Sequence, residues 1–223
     1  MGSRFMSLSF TGSNQRARNV LITVLAVVLV IVGSYFLFRT PRLTNLAQSN
    51  AAQLAPLKSA WASGDAIVVI RHAERCDLSS APCLDAADGI TKRGKDIAVK
   101  LGEHYQTLGL DQADIFTSPL TRTRQTANFM FNHDVEPQQW LAACKGIMLK
   151  TALETKRPGH NLILVTHSDC IREIEKHLNV HAPEKPPYAS SLFIVLGQGD
   201  KKPRALGFFY SRDFNTEWMN PKQ

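Results

Sequence analysis

The chain has 223 residues, 44% hydrophobic and 20% charged, with a formal net charge of +7. That is ordinary globular composition, with length for one domain of roughly 150–200 residues and a core of its own, and it excludes a disordered, collagen-like or repeat protein. Residues 1–42 hold five basic residues (Arg4, Arg16, Arg18, Arg39, Arg42) and no acidic one, which leaves 21 basic against 19 acidic residues in the body; charge alone does not make that body a nucleic-acid binder.

The first element is an uncharged run of 19 residues, 20–38 (VLITVLAVVLVIVGSYFLF). As a helix it is about 28 Å long, close to the roughly 30 Å hydrocarbon core of a bilayer. Arg4, Arg16 and Arg18 precede it, and basic residues stay on the cytoplasmic side. The run predicts a single-pass inner-membrane anchor with a cytoplasmic tail over 1–19 and the body in the periplasm. A cleaved secretory signal has a shorter apolar core and a small-x-small site, whereas Tyr35, Phe36 and Phe38 stand where cleavage belongs. Anchor and signal both export the body; a buried core helix does not.

Residues 39–65, polar and Ala-rich, read as a tether that is helical around 46–61. The body follows over 66–223. Its first strand is the apolar run 66–70 (AIVVI), suited to a buried parallel position. A loop rich in Asp, Ser, Pro and Cys covers 75–91. Ile97, Leu101, Tyr105 and Leu108 recur at helical spacing and predict a helix over Lys92–Leu108. A short strand at 115–117 leads to Ser118 and Pro119, an N-cap and first-turn pair opening a second helix. Asn161–Thr166 (NLILVT) is another buried strand, before a helix carrying Ile171, Ile174 and Leu178. The runs 192–196 and 205–210 flank a turn and pair. Alternating strands and helices predict an α/β three-layer sandwich with a mostly parallel central sheet.

All four cysteines (Cys76, Cys83, Cys144, Cys170) lie in the body, and an even count in an exported domain points to disulfides. Of the three pairings, the one joining Cys76 to Cys83, nearest in sequence, leaves Cys144 with Cys170. Without a CxxC pair, zinc is the weaker reading.

Ligands of open α/β sheets bind beyond the carboxyl ends of the strands. Three such ends carry reactive residues: Arg71-His72-Ala73-Glu74-Arg75, Ser118-Pro119-Leu120-Thr121-Arg122 and His167-Ser168-Asp169. Arginines fork onto phosphate oxygens, helix N-termini add N–H groups, and a histidine among them attacks phosphorus. Arg71-His72 after a strand, the S-x-L-x-R of 118–122 and His167 after a strand resemble the histidine phosphatase superfamily. The usual R-H-G opening reads Arg-His-Ala here. RHAERCD (71–77), Cys83-Leu84, Gly89-Ile90-Thr91 with Gly94, the Thr-Arg-Thr-x-Gln set, Cys144 and Thr166-His167 with Cys170 are similar to one branch of that family, which acts on phosphorylated sugars of the lipopolysaccharide core.

The resemblance implies that His72 is the nucleophile that forms a phosphohistidine. Arg71, Arg122 and His167 are the matching phosphate-holding residues, with Ser118 beside them. No metal or cofactor is implied, since arginine and histidine supply the positive field. The expected partner is a phosphorylated sugar or glycolipid, with the membrane reached through 20–38. The family's Glu after the S-x-L-x-R helix has no counterpart in 140–150 (WLAACKGIMLK). Glu74 is the nearest substitute as proton donor, with Asp169 second; the blander readings are a loop carboxylate paired with Arg75, and an N-cap. Arg75 and Arg124 read as solvated or as greeting an anion, and His104, His133, His160, His177 and His181 as surface residues. The missing acid also admits a protein phosphohistidine phosphatase or a catalytically degenerate binding module; export disfavours a phosphoglycerate-type mutase.

Overall fold

The computed structural model describes residues 12–38, 43–180, 185–197 and 202–219; residues 1–11 of the tail expected to be cytoplasmic, residues 39–42, His181 and the turn expected at 198–201 lie outside them. The chain divides into two units, 1–41 and 42–223. The first contains helix α1 (Gly12–Phe38), in which Gln15–Tyr35 is long and apolar enough to cross a membrane.

The second unit is built on one sheet. Its strands are β1 (Thr44–Asn45), β2 (Ala66–Arg71), β3 (Ala113–Thr117), β4 (Asn161–Thr166), β5 (Ser191–Val195) and β6 (Arg204–Phe209). They are ordered β1-β6-β5-β2-β4-β3. Of the five pairings, β1–β6, β2–β4 and β3–β4 are parallel, while β5 runs antiparallel to both β2 and β6. The sheet is thus mostly parallel, as expected.

Alternation along the central strands sends side chains to opposite faces. Val68, Ile70, Ile163, Val165 and Phe193 pack with helices α2 (Ala51–Ser63), α3 (Lys92–Leu108) and α4 (Thr121–Phe131). Ile67, Val69, Leu162, Leu164 and Leu192 pack with α5 (Met148–Thr155) and α6 (Ser168–His177). Continuous apolar runs are what a strand covered on both faces requires, so the three layers follow directly from AIVVI and NLILVT.

The stretch read as a tether is part of this unit from Thr44 onward. Thr44 and Asn45 pair with Gly207 and Phe208. Asn50 and Gln53 form a reciprocal capping box that starts α2. Leu57, Ala60 and Trp61 enter the core, and the Trp61 indole donates to the Leu108 carbonyl at 2.9 Å. The Ala-rich composition concealed this, because only three of the thirteen α2 residues are buried.

Helix α3 occupies its predicted span, capped by the Thr91 hydroxyl, which accepts from the Gly94 amide at 3.0 Å. Gly102 lets it lie against α4: a Cβ there would fall 1.9 Å from the Met130 carbonyl oxygen. Helix α4, in contrast, starts two residues later than predicted. Its N-cap is Leu120, not Ser118. Ser118 is fully buried and its side chain is committed elsewhere, as described next.

Candidate active site

Strands β2, β4 and β3 are parallel neighbours, with Arg71 opposite Thr166 and Thr117 opposite Val165. Their carboxyl ends therefore share one edge. The amides of His72 and Ser118 donate to Thr166 and Val165 carbonyls, both at 2.9 Å, fixing the first residue beyond each strand. This brings the three sequence motifs together.

His72 is buried, 3% exposed. Its Nδ1 lies 2.7 Å from the Ala73 carbonyl oxygen, which only accepts, so Nδ1 carries the proton. Burial, and then the positive neighbours His167, Arg122 and Arg71, push its pKa down to about 2 despite that hydrogen bond. The ring is therefore neutral, with an Nε2 lone pair free to attack.

The His167 ring centroid lies 5.4 Å from that of His72. Arg122 Nη2 donates to its Nδ1 at 3.3 Å, which leaves Nε2 protonated and donating to Ser118 Oγ at 2.9 Å. Burial first, then Arg122, lowers its pKa to about 4. Ser118 thus orients His167 instead of capping α4. Arg71 is 5% exposed, and its Nη1 donates to the Pro186 carbonyl. Its Nε and the Nε of Arg122 are buried without partners. Two guanidinium donors without protein partners beside a neutral imidazole suit an anion, because a buried N–H without an acceptor is costly.

Arg71, His72, Arg122 and His167 line a cleft of about 270 Å³, together with Arg75, Lys185 and Asp169, whereas Ser118, expected beside the phosphate, is fully buried behind His167 and is not part of the lining. The first turn of α6 forms part of its wall through Ser168 and Asp169, and Leu120 and Arg122 bring the start of α4 to it. Neither helix has a side-chain cap on its N-terminal amides, which therefore favour an anion. Among the described residues no group of three or more His, Cys, Asp or Glu is placed to hold a metal ion.

Glu74 does not occupy the donor position expected of it. Arg93 Nε and Nη2 donate to its two carboxylate oxygens, and Thr91 Oγ1 donates at 2.8 Å. The Arg93 bond comes first in holding its pKa down at about 2, so it is ionised and spent as a brace between the loop after β2 and the start of α3. It is not among the cleft-lining residues, whereas Asp169 is. Asp169 is not the N-cap of α6 either. His167 is the cap, and Asp169 sits in the first turn paired with Arg172 at 2.6 Å. Arg75 pairs with Asp77, not Glu74, and Arg124 with Asp134. His104 and His160 are half-buried, not surface residues: His104 stacks on Phe214 and His160 lies 3.7 Å from Asp114.

The cysteines pair as Cys76–Cys83 and Cys144–Cys170, with Cα separations of 5.1 and 5.5 Å. Both members of the second pair line the cleft. Two residues of the site were not legible. Lys185 joins the cleft, and the Tyr188 ring lies 3.8 Å beneath the Arg71 guanidinium. Nothing in Lys-Pro-Pro-Tyr marks a site; β5 pairing beside β2 is what delivers the segment.

Residues 67–142 match the family model of the histidine phosphatase superfamily (branch 1). The lipopolysaccharide core heptose(II)-phosphate phosphatase of Escherichia coli strain K12 is 28% identical over 199 residues, covering 86% of this chain and 94% of that one. Among solved structures, a phosphoserine phosphatase from Entamoeba histolytica aligns with a TM-score of 0.50 at 13% identity, over 67% of this chain and 99% of that one. Bacillus stearothermophilus YhfR gives 0.50 at 13% identity, over 63% and 94%. These two share the fold.

Proposed function

We propose that this chain, which resembles the histidine phosphatase superfamily in sequence, fold and site, is an exported, membrane-anchored phosphomonoesterase acting on a phosphorylated sugar of the lipopolysaccharide core. The observation that carries the chemistry is the neutral, buried His72 beside two guanidinium groups with unpartnered Nε donors. The sugar comes from the similarity to the heptose(II)-phosphate phosphatase, and the export from the apolar run of α1 and the paired cysteines.

In this reading Arg71, Arg122 and the α4 and α6 N-termini bind the phosphoryl oxygens. His72 Nε2 forms a bond to phosphorus as the ester P–O bond breaks, and the leaving sugar oxygen takes a proton. Water then cleaves the N–P bond, releasing phosphate and regenerating the imidazole. The guanidinium groups take up the developing charge on the equatorial oxygens, with His167, oriented by Ser118, beside them. Asp169, the one carboxylate among the described cleft residues, supplies and later recovers the proton. The reaction is metal-independent, since the arginines provide the positive field.

The purified chain is expected to release phosphate from phosphorylated envelope glycolipid, and His72→Ala to abolish release with circular dichroism unchanged. A trapped phosphoenzyme should place the label on His72. Retention of more than a few per cent of activity by His72→Ala overturns the nucleophile. Turnover of phosphohistidine peptides in preference to glycolipid favours the protein phosphohistidine phosphatase, a reading that the sequestered Glu74 supports because that leaving group demands less of an acid.

A further inference from the structure

Between α6 and β5, residues 185–190 make several contacts with the Arg71-His72 pair and none of them is periodic secondary structure. The Ser190 carbonyl accepts from the Arg71 amide at 3.0 Å, and the Ala189 amide donates to the His72 carbonyl at 3.2 Å. The Pro186 carbonyl accepts from Arg71 Nη1. The Tyr188 ring lies face-on to the guanidinium, 3.8 Å from its carbon, and its centroid is 5.6 Å from that of His72. The turn that makes this possible has Ala189 at φ 54°, a left-handed conformation unusual for a residue with a Cβ, and Ala189 is buried. Backbone strain next to a reactive pair persists only where the surroundings impose it.

Arg71 has a long side chain with many rotamers, and nothing on its own strand fixes its plane. The Pro186 carbonyl holds one Nη, and the Tyr188 face restricts rotation about the remaining bonds. The Nε edge is then the part left unsatisfied. We propose that Tyr188 is a positioning residue, whose ring presets the Arg71 guanidinium so that its free Nε edge is ready for the phosphoryl group. This rests on the phosphatase reading of the site. It assigns to Tyr188 a role in catalysis without contact with the reacting atoms.

The test uses the full-length chain in detergent with p-nitrophenyl phosphate as probe. Tyr188→Leu removes the π face and is expected to lower kcat/KM by about 30-fold, because misplacement of an oriented binding group is costly to the transition state. Tyr188→Phe keeps the face and stays within about threefold of the parent. In an Arg71→Ala background, Tyr188→Leu adds less than about twofold, since a positioning residue has nothing left to position. If Tyr188→Leu does not fold, Tyr188→Met replaces it. A fully active Tyr188→Leu, a Tyr188→Phe as poor as Tyr188→Leu, or additive losses with Arg71→Ala each overturn the proposal. The ¹⁵N resonance of Arg71 Nε gives a readout without turnover: sharp in the parent and Tyr188→Phe, broadened or shifted in Tyr188→Leu. If the parent hydrolyses no phosphate ester, the phosphatase reading falls, and an Arg71 signal unchanged in Tyr188→Leu overturns the positioning role separately.

Discussion

Charge at this site is decided by which group each carboxylate and imidazole meets first. Glu74 meets Arg93 and Thr91, so its two oxygens are occupied by donors that stabilise the anion. A carboxylate held that far below its ordinary range is a poor proton donor near neutral pH. Glu74→Gln is therefore expected to cost roughly 0.5–1 kcal/mol of stability, since its Arg93 partner is largely solvated. It should change alkyl and aryl phosphate hydrolysis by equal factors. Asp169→Asn should slow alkyl phosphates at least about tenfold more than aryl phosphates, whose leaving groups need no proton. The measurement is kcat/KM for both ester classes in both variants. A leaving-group-dependent loss in Glu74→Gln alone would return the acid role to Glu74. The sequence exposed both candidates but not the choice between them, because Arg93 lies nineteen positions from Glu74 and only folding α3 against the β2 exit loop joins them.

The elements that were legible are those whose faces are uniform. AIVVI and NLILVT are buried on both sides, and α3 carries a clean apolar stripe, so each was found with its bounds nearly right. Elements that failed are those whose local signal was borrowed for something else. Ser118-Pro119 has the composition of a helix start, yet Ser118 serves His167. Residues 46–61 are largely helical, as expected, yet they belong to no tether, since one face of α2 enters the core. The irregular connection 139–147 has no local signal at all. It is held by the Thr166 hydroxyl, which donates to Leu141 at 2.6 Å, and by the bond from Cys144 to Cys170. That bond ties one cleft wall to the first turn of α6, three residues after His167. Closing a loop with a sequence separation of 26 stabilises by about 3 kcal/mol in the chain-entropy view. The double variant Cys144→Ala/Cys170→Ala should accordingly unfold at lower denaturant and lose activity more than a Cys76→Ala/Cys83→Ala pair, whose separation is only 7. Denaturant midpoints and kcat/KM for the two pairs check this; equal effects would mean that the cleft wall is held without the bond.

At the scale of the molecule, the proposed function assigns location to the first unit and chemistry to the second. A C-terminal fusion to a reporter active only in the cytoplasm should be silent, and one active only after export should give signal; the opposite pattern overturns the proposed topology. In the proposed topology the second unit faces a compartment whose pH follows the surroundings, which makes its own pH response matter. His72 and His167 have folded pKa values lowered to about 2 and about 4, whereas in the unfolded chain they take protons near 6.5. Below that pH the unfolded state binds more protons, so stability falls as pH falls, by of the order of 1–2 kcal/mol for each ring at pH 5. Glu175 acts in the opposite sense. It is buried on α6 with Oε2 unpartnered, and burial raises its pKa to about 7. Its contribution is complete below its unfolded pKa and is lost as pH rises through 7. Two imidazoles gaining and one carboxyl losing place the stability maximum near pH 7, where the protons still bound by the two unfolded histidines balance the one held by folded Glu175. An anion in the cleft stabilises the folded chain most on the acid side, because beyond its contacts with the arginines it pairs with the imidazolium form of both rings and raises their folded pKa values. Sulfate, a dianion throughout the range, should therefore increase Tm more at pH 5.5 than at pH 7.5, with ionic strength matched by sodium chloride. In Arg71→Ala/Arg122→Ala the difference between the two pH values should vanish. An equal or smaller gain at pH 5.5 in the parent chain would mean that the bound anion does not meet the histidines, and with them the phosphoryl position itself would have to lie elsewhere in the cleft.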